Sequence, residues 1–475
     1  MGDETSERLH SSDEAGELHP SGTRWSEGGR RLTEPVKGNE ARHSGSAPLL
    51  TGLDWVAAVS KRRPELVWTT LAHHITVNVL REAYRQTRKD GAVGVDGQTW
   101  QQYGRNLEGN LVDLRERFQS GRYVAPPVKR VYIPKGKGKK RPIGIPTLED
   151  KVLQRAVAMV LERVYEPLFR DCSYAYRRGR NQHKALRALW KPVMDMCGGV
   201  VIDMDIKGFF DNLDHSHLRS ILDTRVRDGV IRRAIDKWLK AGVLEGKVIY
   251  HPTKGTPQGG VISPLLSNIY LNHVLDAWFE DVVRPKLRGQ AVLVRFADDV
   301  IIVLERRDDA QRVRRVLDKR LSKYGLTLSV EKTRVIPFRR PNRLRRGEDE
   351  PGSFVFLGFT HVWVKSRWGR WVIRQRTSKE ALKRAIAKMR RWLWRNRHEK
   401  VRVQHESICR RVRGHDNYFG ITGNGRALSR FRHVVRGLWR QALNRRSQKK
   451  TLTWKRFDKL RKVYPLPPTR VKARH

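Results

Sequence analysis

"VRFADDVIIV", residues 294–303, sets two adjacent carboxylates, Asp298 and Asp299, between the apolar runs Val292-Leu293-Val294 and Val300-Ile301-Ile302-Val303. Apolar runs on either side of a short polar stretch read as two strands of an antiparallel pair, and Asp suits the turn between them. Taken alone, the pair is best read as an ordinary hairpin turn. The alternative is that the turn holds carboxylates at the end of rigid strands, where they bind a hard cation such as Mg²⁺ through oxygen. That reading requires a further carboxylate converging from elsewhere.

"VIDMDIKGFFDNLDH", residues 201–215, supplies one. Asp203 and Asp205 share a strand face, because side chains two apart point the same way. Asp205 ends that strand, and the carbonyl of Ile206 is a further oxygen donor. With the Asp-Asp hairpin, these residues suggest a two-metal site that aligns an attacking hydroxyl and stabilises the leaving oxygen of a phosphate ester. "IPKGKGKKRPIGIP", residues 133–146, carries Lys135, Lys137, Lys139, Lys140 and Arg141 on a Gly-interrupted loop. No Ser or Thr follows a Gly-Lys pair, so it is not a Walker loop. As a basic hairpin it suits a triphosphate, although charge alone favours a plain solvated loop. In "GTPQGGVISP", Gly255 to Pro264, the glycines let backbone approach a ligand closely.

The chain has 475 residues, enough for two or three domains, and a formal net charge of +49. Such an excess points to a polyanionic partner, nucleic acid ahead of anionic membrane. No apolar run approaches the roughly 20 residues of a membrane-spanning helix, and the polar, acidic start is not a secretory signal. Cys172, Cys197 and Cys409 show no paired spacing, so neither a disulfide framework nor a zinc module is suggested, and a reducing intracellular setting follows.

Residues 1–50 hold 9 acids and 6 bases with few apolar residues, which predicts a disordered arm. A helix is expected to end near Asp90, before a Gly-rich loop. "DKVLQRAVAMVLERVYEPL" predicts an amphipathic helix with Val152, Leu153, Ala156, Val157, Val160, Leu161 and Val164 on one face. Another, stopped by Gly325, should turn Val313, Val316, Leu317 and Leu321 inward. "LTLSVEKTRVIPF" and "SFVFLGFTHVWV" read as strands. Without regular βαβ alternation, the class is α+β. From Thr377 the pattern predicts helices only, opening with a capping box of Thr377 and Glu380. Residues 361–475 hold 35 Lys and Arg against 5 Asp and Glu, so most of the excess charge lies in the last quarter. The Trp and Tyr residues there suit core packing or base stacking, with core expected for most.

In that order, "DIKGFFD", "TPQGGVISPLLSNIYL", "FADD", "GLTLSVEKT" and "FVFLGF" resemble the reverse transcriptase fingers and palm of group II intron-encoded proteins. "NVLREAYRQTRKDGAVGVDGQTW" is similar to their N-terminal extension; "ICRRVRGHDNYFG" and "LTWKRFDKLRKVYPLPPTR" are similar to their maturase (X) domain. The resemblance covers roughly residues 53–470. It implies a right-hand polymerase, with an extension over 51–120, fingers and palm over 121–365 and an all-helical thumb/maturase domain over 366–475.

The resemblance further implies that Asp205, Asp298 and Asp299 hold two Mg²⁺ ions, with the Ile206 carbonyl as an added ligand. Phe210 would be the aromatic gate beneath the sugar. Lys135 and Arg141 would contact the dNTP triphosphate, Gln258 and Gly259 would line the nucleotide pocket, and Lys332 would steady the departing pyrophosphate. Tyr418 and Phe419 are expected to pack the helical core. Implied partners are group II intron RNA, an RNA template with DNA primer, dNTPs and a DNA target, with no membrane. The setting would be the bacterial cytoplasm, on the nucleoid or in a ribonucleoprotein. Phe296 stands where Tyr is more familiar, keeping the ring and losing a hydroxyl. The paired cysteines and His-Asn pattern of a C-terminal endonuclease do not follow the maturase motif, so autonomous second-strand cleavage is not expected.

Two rivals are an RNA-binding maturase that has lost polymerisation and a reverse transcriptase of another system, such as defence. The complete acid triad and the Pro-Gln-Gly loop oppose the first, and the maturase motif opposes the second.

Overall fold

The computed structural model describes residues 51–136, 139–246, 248–250, 254–256, 259–341, 351–448 and 452–471; the arm expected over 1–50 lies outside them. Strands β1 (Val128–Gly136) and β2 (Lys139–Ile145) form a hairpin. After β3 (Val200–Met204), the short strands β4 (Val243–Glu245) and β5 (Val248–Tyr250) complete a sheet ordered β2-β1-β4-β5. The basic segment is therefore a β-hairpin rather than a loop.

β3 belongs to a second sheet with β6 (Ala291–Phe296), β7 (Asp299–Leu304) and β8 (Arg334–Pro337), ordered β6-β7-β3-β8 and antiparallel throughout. Because side chains alternate, its two faces meet different partners. Ile202, Met204, Leu293, Val300 and Ile302 pack into one core with the helices Leu148–Tyr165 and Ser263–Leu271. Val201, Val292, Val294, Ile301 and Val303 face a second core, where the Gln182–Asp195 helix contributes Ala185, Leu186, Leu189 and Val193. With both faces covered, the strands read as unbroken apolar runs, which is why "VIIV" shows no alternation.

A third sheet, ordered β11-β10-β9, comprises β9 (Phe354–Phe356), β10 (Phe359–Lys365) and β11 (Trp371–Thr377). The expected domain boundary at 365/366 falls between β10 and β11, which pair along their whole lengths. β11 runs through Thr377, so Ser378 caps the following helix, accepting from the Ala381 amide at 3.2 Å. The expected Thr377–Glu380 box is displaced because Thr377 is still in a strand. Sequence reading missed β11 because Arg374 and Arg376 interrupt its apolar pattern, and because its inward Gln375 is a polar residue. The Gln375 Nε2 donates to the Leu186 carbonyl at 3.2 Å and meets His361 Nε2 at 3.0 Å.

The helices Lys379–Arg395, Val401–Phe419, Gly425–Asn444 and Trp454–Val463 share a core of Met389, Leu393, Ile408, Val412, Phe431, Val435, Trp439 and Phe457. Trp439 is fully buried, its indole donating to Gln404 at 3.0 Å. Trp394 and Trp454 instead lie about half exposed, so the core expectation fails for them. Tyr418 and Phe419 also leave this core. Phe419 packs on Phe359 of β10, and the Tyr418 hydroxyl donates to the Leu357 carbonyl at 3.2 Å.

Three smaller expectations are corrected. The helix placed up to Asp90 ends at Gln86, because Thr87 turns extended and its hydroxyl bonds back to Ala83 at 2.8 Å. "LTLSVEKT" makes only an isolated bridge, Leu328 to Ile206, before β8 begins. On the Arg307–Lys323 helix Val313, Leu317 and Leu321 form a buried stripe at four-residue spacing, while Val316 falls off it and is exposed.

Candidate active site

The β6–β7 turn consists of Ala297 and Asp298, with Phe296 paired to Asp299. Ala297 adopts a φ of 59°, a conformation that costs any side-chain-bearing residue energy and persists only when its surroundings enforce it. Here the enforcement comes from Arg295, a fully buried guanidinium one residue before Phe296. Its Nη1 donates to the Ala297 carbonyl at 3.1 Å and to Asn268 Oδ1 at 2.9 Å. Nη2 donates to Ser173 Oγ at 2.8 Å, and the charge is matched by fully buried Asp276, at 2.6 to 3.0 Å over three hydrogen bonds. Sequence reading passed over this clamp. Its signals were an Arg inside "VLVRF" and an Asp inside "HVLDAWF", each a charge in an otherwise apolar run.

Register brings the acids together. Asp203 pairs with Ile301 and Met204 with Val300, so the next step along β3 sets Asp205 opposite Asp299 at the sheet's rim. Asp205 lies one residue past the strand's end. Burial, then Asp298, Asp205 and Asp203, raise the Asp299 carboxyl to about 6, against an opposing pull from Lys332. The Asp299 side chain still reaches solvent, so protein packs around an open carboxylate rather than sealing it. Asp203 is also raised, by burial foremost, although Arg334 donates to it at 2.6 Å. Lys332 Nζ donates to Asp205 Oδ2 at 2.7 Å, so this expected pyrophosphate ligand lies against an acid. The Leu328 bridge uses the Asp205 carbonyl and the Lys207 amide, leaving the Ile206 carbonyl outside that pairing.

Carboxylate oxygens are the donors a hard divalent cation takes, and Asp298, Asp205 and Asp203 lie near enough to Asp299 to raise it. Asp203 and Asp205 are instead turned onto Arg334 and Lys332. Among the described residues, no group of three or more His, Cys, Asp or Glu is arranged to hold a metal ion.

The surrounding residues come from three directions. Phe210, on the short Phe209–Asn212 helix, is half-buried and meets Phe209 edge-on at 5.3 Å. Its carbonyl accepts from the Thr256 amide at 2.8 Å, and a Cβ on Gly255 (φ +87°) would lie 2.8 Å from the carbonyls of Phe210 and Asp211. Gly259 (φ +124°) stands against β2, where a Cβ would come within 2.4 Å of the Gly144 carbonyl. The glycine loop thus joins the Phe210 helix to the basic hairpin, and Gln258 lies outside the described residues. Lys135 falls on β1, beside the irregularity between Pro134 and Gly136, and Arg141 is an exposed residue of β2. Tyr176, missed by sequence reading, lies within electrostatic reach of both Arg141 on the hairpin and the paired acids. Burial raises its hydroxyl, with Asp298 and Asp299 acting alongside and Arg141 opposing. Tyr418 is raised similarly, by burial first and then Asp299.

A mixed α/β fold with acids at the rim of a sheet and a basic hairpin near them suits templated nucleotidyl transfer. Residues 133–361 match the family described as Reverse transcriptase (RNA-dependent DNA polymerase), so the central domain is an RNA-directed DNA polymerase, of a class that works with divalent metal ions. Protein YkfC of Escherichia coli is 31% identical over 349 residues, 66% of this chain and 86% of that protein. The group II intron-encoded protein LtrA of Lactococcus lactis is 42% identical over 172 residues, 36% of this chain but only 28% of that longer protein. Nuclear intron maturase 4, mitochondrial, of Arabidopsis thaliana is 28% identical over 158 residues, 32% of this chain and 18% of that protein. The chain belongs to the group II intron reverse transcriptase/maturase family. No helix among the described residues is long and apolar enough to cross a membrane.

Proposed function

We propose that this chain copies RNA into DNA by attack of a primer 3′-hydroxyl on the α-phosphate of a dNTP, and that it also binds its intron RNA, assisting splicing and retrotransposition into a DNA target. The observation that carries the reading is the β3–β7 register, which sets Asp205 opposite Asp299 beside the turn residue Asp298. When bound to Asp205, Asp298, Asp299 and the Ile206 carbonyl, two Mg²⁺ ions would align the attacking hydroxyl and offset charge on the phosphate. Phe210 lies beneath the sugar and excludes a 2′-hydroxyl. Arg141 and Lys135 bind the triphosphate, Gln258 and Gly259 line the pocket, and Lys332 leaves Asp205 to steady the departing pyrophosphate.

Residues 51–120 extend the fingers, 121–365 form fingers and palm, and the helices beyond form a thumb/maturase domain. That helical region grips intron RNA through its +30 charge over 361–475, favouring the splicing-competent fold. The working setting is the cytoplasm, as a ribonucleoprotein or on the nucleoid.

The test is Asp298→Asn with Asp299→Asn. Asn suits a turn as well as Asp does, so a purely structural pair would leave primer extension intact. The proposal expects Mg²⁺-dependent extension on an RNA template to be abolished while folding, RNA binding and assisted splicing persist. Extension at the wild-type rate would refute it.

A further inference from the structure

The helical domain carries a concavity that none of the polymerase chemistry uses. It lies between the helices Lys379–Arg395 and Gly425–Asn444, with a cavity volume of about 430 Å³. Leu393, Leu438 and Ala442 form its apolar floor, each less than a tenth exposed. Its rim is different in kind: Trp394, half exposed, with Arg390, Arg445 and Gln441 all at the surface. The Arg445 guanidinium lies 5.8 Å from the centre of the Trp394 ring, and that of Arg397 lies 4.8 Å from it.

The half-exposed indole beside an apolar floor gives the cavity an aromatic wall already flanked by guanidiniums, the setting in which a planar ring stacks. The rim narrows what such a ring carries. Two lining guanidiniums reject a cation and an acid-free wall offers a basic peptide nothing. A flat aromatic face, apolar depth, an amide with both donor and acceptor, and two positive charges match one ligand chemistry: an aromatic heterocycle with phosphates attached. The volume lies in the range of ligand pockets.

A base stacked within a duplex presents no free face, whereas a base turned out of its helix does. Resting on the proposal that this domain grips RNA, we propose that the Trp394 cavity captures a single unpaired base of that RNA. The base stacks against Trp394 over Leu393, Leu438 and Ala442, Gln441 meets its hydrogen-bonding edge, and Arg390 and Arg445 take the flanking phosphates. Sequence-independent charge then supplies overall affinity, and this cavity marks where along the RNA the domain settles.

The test measures binding of the full-length chain to three RNAs: a perfect duplex, the same duplex with one bulged adenosine, and a version whose bulged nucleotide is abasic. The wild-type chain should prefer the bulged adenosine over the abasic partner on the order of tenfold, the scale of one base–aromatic stack. Trp394→Ala should erase that preference while leaving affinity for the duplex and its salt dependence unchanged; Trp394→Phe should largely keep it. Trp394 lies half outside the core, so circular dichroism and melting of both variants should match the wild type. Equal wild-type affinity for the adenosine and abasic RNAs would overturn the cavity proposal while leaving the electrostatic grip standing. A preference that survives Trp394→Ala would also overturn it. Loss of all RNA affinity in the wild-type chain would overturn the RNA-grip reading as well.

Discussion

Arg295 and Asp276 permit a perturbation whose two arms separate stability from catalysis. Both side chains are fully buried, and their three mutual hydrogen bonds are the largest part of the network around Arg295. Asp276→Leu leaves the guanidinium with only Asn268, Ser173 and the Ala297 carbonyl, all neutral. Removing one partner of a buried pair costs about 3–5 kcal/mol. Replacing both members by apolar residues of similar volume, Arg295→Met with Asp276→Leu, should recover most of that stability, because no uncompensated charge remains. The double variant still lacks the donor to Ala297, whose φ of 59° then has no enforcement from that side. Urea unfolding should therefore rank wild type near the double variant and well above the single. Single-turnover primer extension should find the double variant slow despite its stability, with affinity for primer–template unchanged. A single variant as stable as wild type would refute the ion-pair reasoning. A double variant that extends primers at full rate would refute the claim that Arg295 positions the acid turn.

Phe210→Ala should open space beneath the sugar, and incorporation assays should show rNTP use rising toward dNTP use; unchanged discrimination would assign the gate elsewhere. Neutralising the bases of 361–475 in groups should flatten the salt dependence of RNA affinity, by roughly one unit of slope for each phosphate that is no longer neutralised. A slope that stays put with helicity retained would move the grip to the fingers. Burial raises the Asp150 carboxyl from 3.8 to about 6, against hydrogen bonds from Tyr123 and Trp238. A carboxyl raised on folding binds its proton more tightly in the native state, so its stabilising contribution is complete below pH 3.8 and is lost as pH rises through about 6. Asp150→Asn, which keeps an acceptor without the charge, should remove on the order of 2–3 kcal/mol of that pH dependence in denaturant titrations. An unchanged profile would mean the carboxyl is not the titrating group.

The palm was legible because its signals are local. Unbroken apolar runs around Asp298 and Asp299 located β6 and β7, and the two-residue spacing of Asp203 and Asp205 located the end of β3 to within one residue. What escaped notice depended on partners distant in sequence. Arg295 and Asp276 look misplaced until the fold sets Ser173 and Asn268 around them. β11 was hidden because the Nε2 of its inward Gln375 is held by residues of another helix and strand, which no window of neighbours reveals. Tyr418 and Phe419 lie on a helix of suitable period, yet they end it and so turn to the third sheet rather than into the bundle. Charge in the last quarter was plain from composition, but which tryptophans stay outside the core was not.

The end of the Val401–Phe419 helix is tied to the palm side of the chain by hydrogen bonds of His183 and Asn424, besides that of the Tyr418 hydroxyl. His183 bonds the Tyr418 carbonyl at 2.8 Å, and Asn424 ties the Thr377 amide at 3.0 Å, the Thr377 hydroxyl at 2.7 Å and the Phe419 carbonyl at 2.8 Å. The basic helices meet β11 through the Phe419 carbonyl and the Asn424 amide as well as through the chain itself, and Tyr418, at the same junction, lies within electrostatic reach of Asp299. If the helical domain grips RNA as proposed, that grip and the acids share one junction, and Asn424→Ala should loosen it without moving the acids.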